Sequence, residues 1–339
     1  MRHVRIAERL FNRPLMISEA KLSIIQHLFA DKSGVNLIGA PVTVEAVQVS
    51  ENDRRKAGYQ VNDGLAIIGI HGPLIHRRLD MEWSSGGPTT YGEIRKAFDL
   101  ALADDGVQGI VLDIDSGGGE VSGAFDLADH IYHSRGTKPI TAVVDESAYS
   151  AAYLLASAAE KIILPRTGGV GSIGVIATHA DFSRMEDAAG ITVTHIYAGE
   201  RKADYSPHQP LSDQATAALQ EMVDDTYSMF VAAVARNRGM KKEEVIATQA
   251  AIYEGQKAVK AKLADAVSAV DTAIASARKG SNNRIISATG TTAGAQRKEK
   301  RTMTEQEMRD QHPDVVAAIE AKARQGLIAQ ADAETAKQE

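Results

Sequence analysis

Between residues 64 and 198, short apolar runs of strand length alternate with helical stretches, and this alternation restricts the possible folds more than any other feature of the chain. The runs LAIIGI (65–70), GIVLDI (109–114), PITAVV (139–144), KIILP (161–165), IGVIAT (173–178) and TVTHIY (192–197) are bounded by Gly, Pro, Asp or Ser, as strands are. Between them Ile94, Phe98 and Leu102, and then Phe125, Leu127 and Ile131, recur at near-helical spacing. An α/β fold with strands covered on both faces accommodates both periods. A long amphipathic helix is predicted next. Ser212 is its N-cap, Leu219, Met222, Val223, Thr226, Phe230 and Val234 are its apolar stripe, and Gly239 is its stop.

The chain of 339 residues is long enough for a sizeable core, and its net charge of −6 leaves no basic footprint for nucleic acid. It has no cysteine, so disulfides, thiolate nucleophiles and cysteine metal sites are excluded, and any nucleophile is an oxygen or an amine. Charges run through the first 29 residues, and no stretch approaches the roughly 18 apolar residues of a membrane span. A soluble, cytoplasmic chain is expected. Past Tyr253 there is no aromatic residue, and from about Arg278 to Arg301 Gly, Ser, Thr, Asn and basic side chains dominate, which reads as a linker. Beyond it Thr304 and Glu307 form a potential capping box, and Pro313 suits the start of a second helix.

Three stretches invite a chemical reading. GVGSIG (169–174) has the glycine spacing of a dinucleotide loop, but strand-like residues follow it, where a helix N-terminus would be needed to hold a pyrophosphate. The glycines are better read as points where backbones pack closely. In DIDSGGGEVSGAFDLADHI (113–131) a strand runs into three glycines and then a helix. That geometry can turn amides toward an oxyanion, and it equally suits a plain strand-to-helix turn. In PITAVVDESAYSAAYLLASAA (139–159) a strand, a short polar turn and an alanine-rich helix carry three serines. Ser150 best fits the helix N-terminus, where developing negative charge is favoured. Ser147 suits an N-cap and Ser157 suits packing inside the helix. A nucleophilic serine needs a base: His179 is one candidate, and Lys202 in YAGERKADYSP is the other.

Taken in order, RIAERLFNRPLMI, IIGIHGPL, GIVLDIDSGGGEVSGAFDLADHI, YSAAYLLASAA, GGVGSIGVIATHADFS, IYAGERKADYSP and AIYEGQKAVKAKLADAV resemble the signal-peptide-peptidase-A-like serine peptidases. The resemblance is strongest to the capsid (prohead) maturation proteases of tailed phages, the protein C type. It covers about residues 5 to 270. It implies a Clp-protease/crotonase-like fold of stacked β-β-α units and a Ser-Lys dyad, with Ser150 as nucleophile and Lys202 as general base. Ser172 takes the position of a hydroxyl that orients the lysine, and Gly118 and the amide of Ala151 take those of the oxyanion donors. Cofactor and metal are not expected. This sequence departs from the family pattern in having Ser-Gly-Gly-Gly where proline commonly follows the serine, alanines after Ser150, and Lys262 where glycine usually precedes leucine.

The resulting division is an N-terminal arm (1–40), a Ser-Lys peptidase domain (41–277), a linker (278–301) in which self-processing is expected, and a helical, scaffold-like tail (302–339). The expected partners are protein substrates, namely capsid, scaffold or portal-associated proteins, and further copies of the chain in a homo-oligomeric ring, in which Lys202 can serve a neighbour's Ser150. If the gene is phage-borne, the prohead interior is the expected workplace. The competing readings are a cytoplasmic signal-peptide or protein-quality peptidase, a catalytically inactive assembly protein, and crotonase-type acyl-CoA chemistry, which would leave Ser150 and Lys202 unexplained.

Overall fold

The structure, a computed structural model, describes residues 13–18, 49–78 and 87–278. All of them fall in the first of two units, 1–286 and 287–339. The helical tail, and the linker beyond residue 278, lie outside the described residues, as does most of the N-terminal arm. In chain order the elements are β1 (Leu15–Ile17), α1 (Glu51–Ala57), β2 (Tyr59–Asn62), β3 (Leu65–His71), β4 (Leu74–Ile75), β5 (Thr89–Thr90), α2 (Tyr91–Ala103), β6 (Gly109–Ser116), β7 (Gly118–Glu120) and α3 (Ala124–His133). They continue with β8 (Ile140–Tyr149), α4 (Ala151–Ser157), β9 (Lys161–Leu164), β10 (Gly169–Gly171), α5 (Ser183–Ala188), α6 (Asp213–Arg238), α7 (Lys242–Ile246), β11 (Ile252–Glu254), α8 (Gly255–Lys260) and β12 (Ala266–Val267).

The fold is mixed α/β. Its larger sheet runs β11-β10-β8-β6-β3-β2, with β9 and β12 joined through β8. β3, β6, β8 and β10 are parallel neighbours in turn. The first half of β8 pairs with β9 through Thr141–Val143, and its last three residues pair with β10, so the sheet forks just before Ser150. The strands of this centre bury successive residues, as strands covered on both faces do. On one face Ala66, Ile68, Ile110, Leu112, Ala142 and Val144 join the main core with α2, α3, α4 and α6. On the other, Leu65, Val111, Val143 and Ile163 pack against Ala273, within helical residues 270–278. A second, four-stranded sheet is ordered β1-β7-β4-β5.

The helix ends expected at Ser212 and Gly239 hold, and α2 carries a further cap. Thr90 and Glu93 close a capping box at the head of α2. Ser212 accepts from the Ala215 amide at the head of α6, and Gly239 ends that helix at φ 62°. Lys262, at the position where the related pattern has glycine, adopts φ 61°, a conformation that glycine takes without strain. The expected strands at 173–178 and 192–197 are not formed. Ile176 makes a single bridge to Leu15, and residues 190–202 are exposed irregular chain in which Ile196 is 98% exposed. An apolar run becomes a strand only where a neighbouring strand can take up its amides and carbonyls in succession; within the described residues the first run gains this only at Ile176, opposite Leu15, and the second forms no strand pairing.

Arg135 ties α4 to α6. Its guanidinium donates to the carbonyls of Ser157, Ala158 and Ala159 at the end of α4 and to Asn237 near the end of α6, at 2.7–3.1 Å. Burial pulls this guanidinium below its ordinary value, so the bonds offset a real desolvation cost. Arg135→Ala leaves buried helix-end carbonyls unpaired and is expected to lower stability by about 2–3 kcal/mol, read as a reduced urea midpoint with an unchanged slope.

Candidate active site

Ser150 ends β8 and opens α4, and it has the geometry of neither. Its φ of 55° and ψ of −119° lie in a region that non-glycine residues avoid. The backbone is held at both ends: the amide donates to the Gly171 carbonyl at 2.9 Å, and the carbonyl accepts from the Leu154 amide at 3.0 Å. The hydroxyl makes no capping bond. It reaches the Gly174 carbonyl only at 3.5 Å, the outer limit of a hydrogen bond. A buried hydroxyl with almost no structural duty therefore sits at the first turn of a helix, whose leading amides have no carbonyl within the helix to bond.

The glycine run comes to this serine through close backbone packing. Gly118 has φ 98°, and a Cβ added to it would stand 2.3 Å from the Met16 carbonyl oxygen, 2.9 Å from that of Tyr149 and 3.0 Å from the Ala151 nitrogen. Only glycine lets this residue lie against the peptide links on both sides of Ser150. The Gly118 amide donates to Ser116 Oγ at 3.1 Å, and Ser116 Oγ donates to the Gly72 carbonyl at 2.6 Å. Sequence reasoning missed Ser116; its only signal was its place at the head of the glycines.

Ser172 arrives by register. β10 runs parallel to β8 with Gly171 opposite Tyr149, which places the next residue beside Ser150. Ser172 has φ 52°, and its amide donates to the Ala251 carbonyl at 3.0 Å. The glycines of GVGSIG serve close packing here: a Cβ would lie 2.4 Å from the Tyr149 hydroxyl at Gly169, 2.6 Å from the Ala251 carbonyl at Gly171 and 2.7 Å from the Ala250 Cβ at Gly174. Tyr149 itself is raised above its ordinary value, chiefly by burial and then by the Glu254 charge.

The other serines have structural roles. Ser147 lies within β8 rather than at a cap, and its hydroxyl donates to Asp115. Ser157 donates to the Leu154 carbonyl at 2.7 Å and accepts from Asn237 Nδ2 at 2.9 Å, so it anchors α4 on α6. Asp145 lies near Asp115: burial raises its carboxyl, the charges of Asp113, Asp115 and Glu146 add to the rise, and His71 opposes it.

Of the two candidate bases, His179 faces the Gln209 carbonyl at 3.3 Å. Lys202 is exposed on the turn closed by its own amide and the Gly199 carbonyl, and among the described residues its ammonium forms no hydrogen bond or ion pair. Within one chain, then, the backbones of Gly118, Ala151 and Ser172 come to Ser150, and Lys202 lies on an exposed turn. No described helix is long and apolar enough to cross a membrane.

Residues 133–284 match the profile of peptidase family S49. The chain is 34% identical to the head-tail preconnector protein GP5 of Enterobacteria phage P21 over 297 residues, 82% of this chain and 59% of that protein. It is also 34% identical to capsid assembly protease C of Escherichia phage lambda over 272 residues, 77% of this chain and 62% of that protein. The chain thus spans about three-fifths of the length of these two relatives. A solved ClpP1 mutant from Listeria monocytogenes matches 60% of this chain and 90% of its own at 13% identity, with a TM-score of 0.34, too low to decide the fold. Through residues 133–284, which hold Ser150, Ser172 and Lys202, the chain matches peptidase family S49, and along most of its length it is similar to a head-tail preconnector protein and a capsid assembly protease of phages.

Proposed function

We propose that the chain is a serine endopeptidase in which Ser150 attacks the scissile carbonyl and Lys202 takes the serine proton. In this reading the tetrahedral oxyanion is met by the amides of Ala151 and Gly118, the latter exchanging Ser116 Oγ for the substrate oxygen. Lys202 then returns the proton to the leaving amine, and water releases the acyl-enzyme by the same route. Ser172 orients the lysine. The observation that carries this reading is the strained Ser150 turn with the Gly118 backbone packed against the Ala151 amide. No metal or cofactor enters any of these steps.

The base is shared between subunits. Lys202 lies in the exposed, apolar-rich stretch around Ile191, Val193, Ile196 and Tyr197, and a second copy packed there would exclude water from the amine. The finer architecture proposed is that of stacked β-β-α units of the Clp/crotonase kind, assembled as a ring. The proposed substrates are capsid or scaffold proteins of a phage or prophage head, following the capsid assembly named for the lambda relative.

Treating the purified chain with a fluorophosphonate probe and mapping the labelled peptide tests the chemistry. Label is expected on Ser150, absent in Ser150→Ala and strongly reduced in Lys202→Ala. Mixing those two variants under conditions of subunit exchange is expected to restore hydrolysis, because one site in such a mixed oligomer keeps both groups. Label on another serine refutes the nucleophile assignment, and a mixture that stays inactive refutes the shared base.

A further inference from the structure

β1 is three residues long, yet it spans the candidate site. It pairs antiparallel with β7, with Ile17 opposite Gly118, Met16 opposite Gly119 and Leu15 opposite Glu120. The Ser18 amide donates to the Gly117 carbonyl at 2.9 Å. On its other edge Leu15 exchanges two backbone bonds with Ile176, at 2.8 and 3.0 Å, in a second antiparallel pairing.

Both flanks of this strand belong to the surroundings of Ser150. The Gly118 backbone lies against the Tyr149 carbonyl and the Ala151 amide. The segment leading to Ile176 begins at Gly174, whose carbonyl is the acceptor nearest the Ser150 hydroxyl. β1 is thus an extended tripeptide hydrogen-bonded on one side to the glycine run and on the other to the segment beside the serine. Its side chains are pocketed: Leu15 is 2% exposed, Met16 0% and Ile17 7%. Ser150 is 0% exposed, so no substrate reaches it until something moves.

A slot that pairs an extended peptide by its backbone on both edges, with pockets for its side chains, is how strand addition holds a polypeptide of varied sequence. We propose that Leu15–Ile17 occupies, within its own chain, the place of the peptide substrate. The segment is a built-in competitor that a substrate must displace, and the pockets of Leu15, Met16 and Ile17 are subsites for extended, apolar peptide. The proposal deepens the peptidase reading and rests on it. Tethering keeps the competitor at an effective concentration of about millimolar, so apparent KM is raised by the factor by which the empty state is under-populated while kcat is untouched.

The absence of cysteine in the full chain permits a reversible lock. Leu15 and Ile176 face each other in an antiparallel pair, where Cα atoms lie about 5.5 Å apart, within disulfide reach. In the Leu15→Cys, Ile176→Cys double variant, oxidation is expected to abolish cleavage of fluorescein-labelled casein, and reduction is expected to restore it. A second variant, Met16→Asp, places a carboxylate in the Met16 pocket and drives β1 out. Its KM for casein is expected to fall about tenfold at unchanged kcat, and a synthetic peptide of residues 10–20 is expected to raise that KM again. Equal turnover of the oxidised and reduced double variant overturns the proposal, as does a Met16→Asp chain that is inactive until the peptide revives it, since β1 is then a structural strand. If the reduced double variant neither cleaves casein nor takes the fluorophosphonate label at Ser150, the peptidase reading itself falls, and this one with it.

Discussion

Ser150→Ala is expected to lower peptide hydrolysis by about 10⁴- to 10⁶-fold while leaving the thermal midpoint almost unchanged. The asymmetry follows from what the hydroxyl does. Among the described residues its contact to the Gly174 carbonyl, at 3.5 Å, is too long to matter for stability, whereas in the proposed mechanism the acyl bond forms on this oxygen. The companion variant Ser150→Gly separates strain from chemistry. A residue at φ 55°, ψ −119° stores on the order of 1–3 kcal/mol, and glycine removes that strain at an entropic cost of about 0.5–1 kcal/mol. Ser150→Gly is therefore expected to be equally inactive and more stable by about 1 kcal/mol. Thermal unfolding and a turnover assay on the same preparations check both halves. Substantial activity in Ser150→Ala would place the nucleophile elsewhere, and an unchanged midpoint in Ser150→Gly would show that the turn carries no strain.

Gly119→Ala is expected to be the most damaging single methyl in the glycine run. A Cβ there would lie 1.8 Å from the Leu74 carbonyl oxygen, 2.6 Å from its carbon and 2.7 Å from the Leu74 nitrogen. Every one of these is a backbone atom, so no rotamer change relieves the collision. β7 is also held from its other edge by β1, and the whole four-stranded sheet must open. A loss above about 4 kcal/mol is expected, seen as a large fall in the denaturant midpoint or as failure to fold. Gly72→Ala is the control. Gly72 has φ 67° and nothing within 4 Å of the added carbon, so only the backbone preference of about 1 kcal/mol applies. Equal midpoints for the two variants would show that the β4–β7 contact is not as close as described.

How much of this was legible beforehand can be traced residue by residue. β3, β6, β8 and β9 lie within a few residues of the apolar runs that announced them, because a strand buried on both faces needs an unbroken apolar run. Ser212 and Gly239 bound α6 as expected, since capping is decided by atoms within four residues of each other. The departure at Lys262 fell on a left-handed residue. IGVIAT and TVTHIY misled because strand propensity describes a surface suited to pairing and cannot say whether a partner strand exists. β7 and β10 escaped notice because three-residue strands of mostly glycine carry no apolar period.

By itself the sequence determined the alternating α/β order, the caps of its long helix and the strand-to-helix junction that carries Ser150, because each depends on side chains a few positions apart. Only the tertiary structure decided that Gly118 lies against the Ala151 amide, that Ser116 holds the Gly118 amide, and that Leu15–Ile17 lies in the slot beside the serine. Those contacts join segments up to about 160 residues apart. They are set by backbone register and by the closeness that glycine permits, quantities that no local pattern of side chains encodes.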